Sequence, residues 1–262
     1  MTGPARMTCP APAAILPEEG GVRACAIVAA GGSGERFGNR GGKQLFELCG
    51  LPMVCWSLIA LDAAPAVSHI VIVCPPDQLE AFRELAVDKL DLRTPVTFAP
   101  SGKTRQQSCA AGLAAAPDGT EIVAIHDGAR PLVLPETIQA AIEAVALDET
   151  VDGAVCGHPA IDTLKIVEGT TVTSTPDRSR YWVAQTPQVF RLESLRAAYL
   201  RAGEDGFVGT DDAMVMEHAG GRVIMVESPR DNLKVTVPED VAPVEAILDG
   251  RICRAACGGD ER

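Results

Sequence analysis

The sequence predicts an α/β fold in which a mostly parallel sheet lies between two layers of helices, with one β-hairpin protruding from it. Two observations carry this prediction. Short continuous apolar runs such as Ala24 to Ala30 and His69 to Cys74 alternate with stretches of helical period, as expected of strands buried on both faces by crossover helices. The first run then stops at a loop holding Gly31, Gly32, Gly34, Gly38, Gly41 and Gly42. A buried strand feeding a glycine-rich turn brings backbone N–H groups close to a phosphate, because glycine has no Cβ to block the approach. Arg36 and Lys43, with Arg40 the long cations of that loop, suggest a polyphosphate.

Taken in order, Pro52 to Ala64 places Met53, Trp56, Leu58 and Ile59 at helical spacing and predicts a helix on the sheet. His69 to Cys74 is a second strand, closed by Pro75 and Pro76. Asp77 is placed to cap a helix from Gln78 to about Leu90. A short strand at Val96 to Phe98 and a helix from Arg105 to Ala116 follow, then a strand at Ile122 to Ile125 that ends in His126-Asp127-Gly128-Ala129-Arg130-Pro131. Pro135 to Leu147 reads as helix and Gly153 to Gly157 as strand. Between Pro159 and Gln188 the rhythm changes to Thr- and Val-rich runs around Glu168-Gly169, which predicts a hairpin arm. Its unpaired edges and small core make a partner subunit the natural cover. Helices at Leu192 to Ala202 and Asp211 to Gly220, a strand at Val223 to Glu227, and a closing helix from Pro238 to about Leu248 complete the chain.

The 262 residues are read as one domain over 22–250, preceded by a proline-rich, disordered leader at 1–21 and followed by a flexible tail at 251–262. A formal net charge of −12 argues against general affinity for nucleic acid or an acidic membrane, so an anionic substrate must be captured by individual cations. No apolar stretch approaches the ~20 residues of a membrane helix, and the N-terminus lacks the pattern of a secretory signal. The nine cysteines are scattered and odd in number, without a C-x-x-C pair. They read as reduced thiols of a cytoplasmic protein, with Cys25, Cys74 and Cys156 acting as small hydrophobes, and not as a metal site.

The two commonest phosphate-loop templates fail on the glycine loop. Phe37 stands where the P-loop needs its first glycine, and Gln44 follows Lys43 where Ser or Thr is required. The dinucleotide fingerprint fails at Phe37 as well. In open parallel sheets the functional residues gather outside the carboxyl ends of the strands, which places the glycine loop, Ser101 to Ser108, His126 to Pro131 and Asp162 to Lys165 in one cleft. Asp127 is the metal candidate, because a carboxylate just after a buried strand can hold Mg²⁺ against phosphates without a protein cage; capping of the next turn is the alternative. Arg130 suits an anion contact or a salt bridge equally, and His126 reads as a satisfied strand-end histidine.

Together AAGGSGERFG…GKQ, TRQQS, HDGARP, DTLK, DRSRYWVAQTPQVF, GTDD and DNLKVTVPED resemble the 2-C-methyl-D-erythritol 4-phosphate cytidylyltransferases of the non-mevalonate isoprenoid pathway, over Cys25 to about Leu248 and in the same order. The resemblance implies a Rossmann-like nucleotidyltransferase sheet and a reaction in which the polyol phosphate attacks the α-phosphorus of CTP in line and displaces pyrophosphate. The nucleophile is already an anion, so the demand on the protein is electrostatic.

By the same resemblance, Arg36 and Lys43 contact the triphosphate in the transition state and Lys234 stabilises the α-phosphate. Asp127 holds Mg²⁺, with Asp231 a second metal contact. Gly31, Gly32 and Gly34 shape the nucleotide site, while cytosine is read by backbone near Ala30 and Gly102 and by the Ser108 hydroxyl. Thr163, Thr186, Arg130 and Arg178 bind the substrate phosphate, with Arg178 supplied in trans by the arm (159–188) of a homodimer. Without the resemblance, Thr163 and Thr186 read as ordinary hairpin threonines. This chain has Phe37 where the family usually has Met, and Gly41-Gly42 where a Pro is common. Two other readings stand beside this one: a cytidylyltransferase for another polyol phosphate such as ribitol 5-phosphate, and a non-catalytic nucleotide-binding regulator of the same fold.

Overall fold

The computed structural model describes residues 22–32, 34, 37–38 and 42–257. Its centre is a sheet of β1 (Ala24–Ala29), β4 (Val67–Cys74), β5 (Val96–Pro100), β6 (Ile122–Asp127), β7 (Gly153–Pro159), β10 (Trp182–Arg191) and β11 (Val223–Glu227), in the order β11-β7-β10-β6-β1-β4-β5. All neighbours are parallel except β10, which runs antiparallel to both β6 and β7. Two small antiparallel pairs lie apart from it: β2 (Glu47–Leu48) with β3 (Leu51–Pro52), and β8 (Ile166–Glu168) with β9 (Thr171–Ser174).

The three layers follow from alternation along each strand. On β1, Ala24, Ala26 and Val28 point into one core, which holds Val54, Leu58 and Leu61 of α1 (Met53–Ala63) and Ile138, Ile142 and Val145 of α4 (Pro135–Ala146). Cys25 and Ile27 point into the opposite core, with Cys109 and Leu113 of α3 (Arg105–Ala114), Leu195 and Ala198 of α5 (Leu192–Glu204) and Met216 of α6 (Asp212–His218). The same period of two governs β6, whose Ile122 and Ala124 take the first side and Val123 and Ile125 the second. Helix α3 comes close to β1 because it carries Gly112, where a Cβ would lie 2.5 Å from Cγ2 of Ile27. Burial on both faces accounts for the unbroken apolar strand sequences.

Several predicted boundaries move. The segment after Pro75 is not one helix. It passes through a 3-10 turn at Pro76–Gln78, α2 (Leu79–Phe82) and a π turn at Arg83–Val87, and no side chain caps any of them, so Asp77 is not the predicted cap. One helical face is still served, because Phe82 and Ala86 are fully buried. The arm is shorter than 159–188: β10 re-enters the main sheet at Trp182, where it pairs with Pro159, and Gln185 to Gln188 are buried. The closing helix α7 (Val241–Cys257) runs past the predicted end near Leu248. Gly250 alone does not stop it, since one interior glycine costs only about 1 kcal/mol. The leader 1–21 and residues 258–262 lie outside the described residues.

A third, smaller core lies beneath the glycine loop and matters for the site. Phe37 packs there with Leu48, Met53, Ala129, Leu132, Val235, Val244 and Leu248, and its ring meets Phe46 edge-on with centroids 5.2 Å apart. The glycine loop, the loop after β6 and the segment before α7 therefore share one apolar anchor.

Candidate active site

The parallel strands β1, β4, β5, β6, β7 and β11 all end at the same edge of the sheet. Strand β4 lies on one side of β1 and β6 on the other, so the chain reverses its winding at β1, and a crevice opens outside the strand ends there. Asp127 sits at the end of β6, paired in register with Ala29. Odd positions of β6 face the second core, so the Asp127 side chain points toward the layer of α3, α5 and α6.

Three cations converge on Asp127. Lys234 Nζ donates to Oδ2 at 2.6 Å, Arg130 Nε lies 3.7 Å from Oδ2, and Arg105 Nε lies 3.9 Å from Oδ1. Burial alone would push the carboxyl up, but Lys234, Arg105 and Arg130 outweigh it and hold the group down at about 2. Asp127 is therefore an anion throughout the physiological range. Its backbone N–H donates to Thr186 Oγ1 at 3.0 Å. Thr186 is thus buried at the root of β10, beside the cis Thr186–Pro187 peptide, and is not an ordinary hairpin threonine.

His126, one residue earlier, faces the other way and is fully buried between Thr186 Oγ1 at 3.0 Å and the Arg130 carbonyl at 3.3 Å. Burial pushes its imidazole down from 6.5 to about 4, against the pull of Asp127. The folded state thus keeps His126 neutral where the unfolded chain already binds a proton. Stability from this residue is full above pH ~6.5 and falls as the pH drops toward 4. Between pH 7 and pH 4.5 the protein is expected to lose about 2 kcal/mol more than a His126→Asn variant, measured by urea unfolding. Equal losses would show that His126 does not control acid stability.

Lys43 reaches the same place from the glycine loop. It is 9% exposed, and its Nζ donates to the Val235 carbonyl at 2.8 Å. The Val235 N–H in turn donates to the Ala129 carbonyl at 2.8 Å. This chain of bonds seats Lys43 beside Lys234, and both beside the loop that carries Asp127 and Arg130. Arg36, the other cation expected to act, lies outside the described residues.

The glycine positions fit close approach. A Cβ on Gly31 would lie 2.3 Å from Ser101 Cβ, so only glycine lets the loop cross the end of β5. Gly32 lies against the Gln44 carboxamide, and Gly34, with φ +66°, accepts from the Phe37 N–H. The predicted base-reading groups line the neighbouring turn. The Ala30 N–H is spent on the Val73 carbonyl, and the Gly102 N–H donates to Ser108 Oγ at 3.0 Å. Ser108, in turn, donates to the Thr104 carbonyl at 2.9 Å. Ser108 braces the loop, and its remaining lone pair can accept from an amino group.

The remaining predicted residues lie farther out. Thr163 is exposed on the arm, and Arg178 donates to the Ile161 carbonyl at 2.5 Å at the arm's base. Neither hydrogen-bonds to the Asp127 cluster. Lys165 bonds to Thr175 across the arm. Of the two readings offered for Arg130 the structure shows the salt bridge: it pairs with Asp127, donates from Nη1 to the Asn232 carbonyl at 2.8 Å, and keeps a buried Nε without a hydrogen bond. Asp231 pairs with Arg251 at 3.0 Å, and its Oδ1 is buried and unpartnered.

Sequence reasoning gave no role to Arg105, Asp212 or Asn232. Asp212 is fully buried, accepts Arg105 Nη2 at 2.6 Å and the Tyr199 hydroxyl, and donates its N–H to Gln188 Oε1 at 3.1 Å. Asn232 donates to the Thr186 carbonyl at 2.9 Å. The signal for all three was present in the TRQQS, GTDD and DNLK motifs.

The sequence profile of the family described as IspD, 2-C-methyl-D-erythritol 4-phosphate cytidylyltransferase, matches residues 24–250. The chain belongs to this family. It is 41% identical over 231 residues to the enzyme of that name from Synechococcus elongatus, covering 88% of this chain and 98% of the relative. To the one from Syntrophotalea carbinolica it is 39% identical over 225 residues, covering 85% and 95%. Among solved structures, 4-diphosphocytidyl-2C-methyl-D-erythritol synthase from Anaerococcus prevotii aligns with a TM-score of 0.76 at 26% identity, covering 87% of this chain and 99% of that one. The mostly parallel α/β sheet is thus the family's fold. Among the described residues no helix is long and apolar enough to cross a membrane.

Proposed function

We propose that the chain joins CTP and 2-C-methyl-D-erythritol 4-phosphate to give 4-diphosphocytidyl-2-C-methyl-D-erythritol and pyrophosphate, in isoprenoid precursor synthesis. A phosphate oxygen of the polyol forms a bond to the α-phosphorus of CTP, and the bond from that phosphorus to the bridging oxygen of pyrophosphate breaks. One observation carries the reading: Lys43, Lys234 and Asp127 come from three distant parts of the chain and meet at the switch point of the sheet, braced by Val235. Lys234 and Lys43 offset the repulsion between two anions and the charge that develops at the α-phosphorus. Arg36 is assigned the same work. Ala30, Gly31, Gly32, Gly34, Gly102 and Ser108 form the nucleotide cradle, and Arg130 and Thr186 bind the polyol phosphate with Thr163 and Arg178.

The site suits a divalent cation shared with substrate phosphates better than one caged by protein. Asp127 is ionised, and among the described residues no hydrogen bond reaches its Oδ1. Among the described residues no group of three His, Cys, Asp or Glu side chains could hold a metal. Asp127 would hold Mg²⁺, which would neutralise triphosphate charge there. Asp231 would have to exchange Arg251 for the cation, so Asp127 is the principal ligand.

The enzyme is read as a cytoplasmic homodimer, and the surface of the arm supports the dimer. Ile166, Val167 and Val172 are each about half exposed on it, and Tyr181, Trp182 and Val183 continue the apolar strip at its root. Release of pyrophosphate from CTP and Mg²⁺ is expected with methylerythritol phosphate and not with ribitol 5-phosphate. Activity with ribitol 5-phosphate alone would overturn the substrate assignment, and activity with neither would favour a non-catalytic nucleotide-binding protein.

A further inference from the structure

We propose that Asp212 is a positioning residue that holds Arg105 off Asp127 and so keeps Asp127 Oδ1 open to the divalent cation. The inference rests on the metal reading of Asp127 given above. Its observations lie in the second core layer, where α3, α6 and the end of β6 meet.

Arg105 is the first residue of α3 and is fixed at its backbone by the Thr104 cap, whose side chain accepts the Gln107 N–H at 3.1 Å. Its guanidinium can therefore swing only about its own side-chain bonds, and two carboxylates lie within reach. Asp212 Oδ2 takes Nη2 at 2.6 Å, a short charge-assisted bond, while Asp127 Oδ1 stands 3.9 Å from Nε, beyond hydrogen-bond distance. The choice is set by how tightly Asp212 is held. It is fully buried, and its N–H is tied to Gln188 Oε1. Its other oxygen takes the Tyr199 hydroxyl. Gln188 is itself fixed through Nε2 to Asp211 Oδ2 at 2.7 Å. A carboxylate held at its backbone by Gln188 and at its other oxygen by Tyr199 wins the fork of Arg105.

The consequence lies at Asp127. Its Oδ2 is occupied by Lys234 at 2.6 Å, so Oδ1 is the oxygen left for a cation. Were Arg105 released by Asp212, the nearest buried anion would be Asp127. A guanidinium seated on that carboxylate would compete directly with a divalent ion for the same lone pairs. The pair also explains why a fully buried acid faces the site without touching it. Asp212 acts on the metal-binding residue through Arg105, and not on substrate.

The test measures binding of Mn²⁺ in the presence of CTP and the absence of the polyol phosphate, by electron paramagnetic resonance of the full chain. Asp212→Asn, which frees Arg105 while keeping the shape of the site, is expected to raise the Mn²⁺ half-saturation by about tenfold, the size of effect an opposite charge at this range has on a carboxylate. The double variant Asp212→Asn/Arg105→Gln removes both charges and is expected to bind Mn²⁺ at least as tightly as the parent. That restoration separates positioning from a structural role, since a merely loosened core would not be repaired by a second loss. Unchanged Mn²⁺ affinity in Asp212→Asn overturns the proposal. So does a double variant that binds more weakly than the parent, a comparison that holds even if the single variant does not fold. An Asp127→Asn variant that binds Mn²⁺ as the parent does overturns the metal reading itself, and this inference with it.

Discussion

Lys43→Ala is expected to reduce turnover by ~10²-fold or more while CTP still binds, the usual loss when a preorganised charge facing a phosphoryl transition state is removed. The position of Lys43 makes this a demanding test. Its ammonium is buried and bonded to the carbonyl of Val235, whose own N–H donates to the carbonyl of Ala129, two residues beyond Asp127. Alanine therefore removes a charge from the α-phosphate region and also strips a donor from a buried carbonyl, a loss of about 1–3 kcal/mol in stability. The two effects separate by measurement. Thermal unfolding reports the second, and steady-state kinetics with varied CTP report the first: kcat should fall with little change in KM for CTP, the mark of an interaction made in the transition state. Loss of stability with unchanged turnover would make Lys43 a brace for the glycine loop and leave the catalytic charge to Arg36 and Lys234.

How much of this site the sequence could show depended on whether a residue's role was local. The strands were legible because both faces are buried, and their apolar runs survive any detail of packing: Val223 to Glu227 was predicted at its observed limits. Strand β6 was read as ending at Ile125, whereas it continues through His126 and Asp127. Polar residues ordinarily end a buried strand, and these two persist in register with Val28 and Ala29 of β1, with Thr186, on a strand remote in sequence, bonding to both. The cations at Lys43 and Lys234 and the carboxylate at Asp127 stood out beside glycine or at strand ends. Arg105 and Asp212 did not. Each opens a helix, where a charged residue is unremarkable, and only the approach of α6 to α3 makes them partners. The broken helix after Pro75 failed for a similar reason, since Asp77 satisfies the local rule for a cap while two prolines before it set a tighter turn. Residues whose meaning lies in the third dimension were visible as motif letters and silent as chemistry.

Mixing inactive Lys43→Ala and Arg178→Ala subunits is expected to restore activity. The argument starts from the arm. In a single chain Arg178 is spent on the Ile161 carbonyl, and neither it nor Thr163 hydrogen-bonds to the Asp127 cluster, while the apolar strip from Ile161 to Val183 stays open to solvent. A two-fold dimer that covers this strip would present each arm to the other subunit's crevice, and the site would take Lys43 from one chain and Arg178 from its partner. In a mixed dimer one site then carries both substitutions and the other carries neither. Random pairing makes half of the dimers mixed, so recovery should reach about a quarter of parental activity per subunit, given closed two-fold symmetry. If Arg178 served its own chain, every site would hold one defect and nothing would return. Co-expression with two different affinity tags isolates the mixed dimer directly; no recovery in that species would place Arg178 in cis, or outside the site altogether.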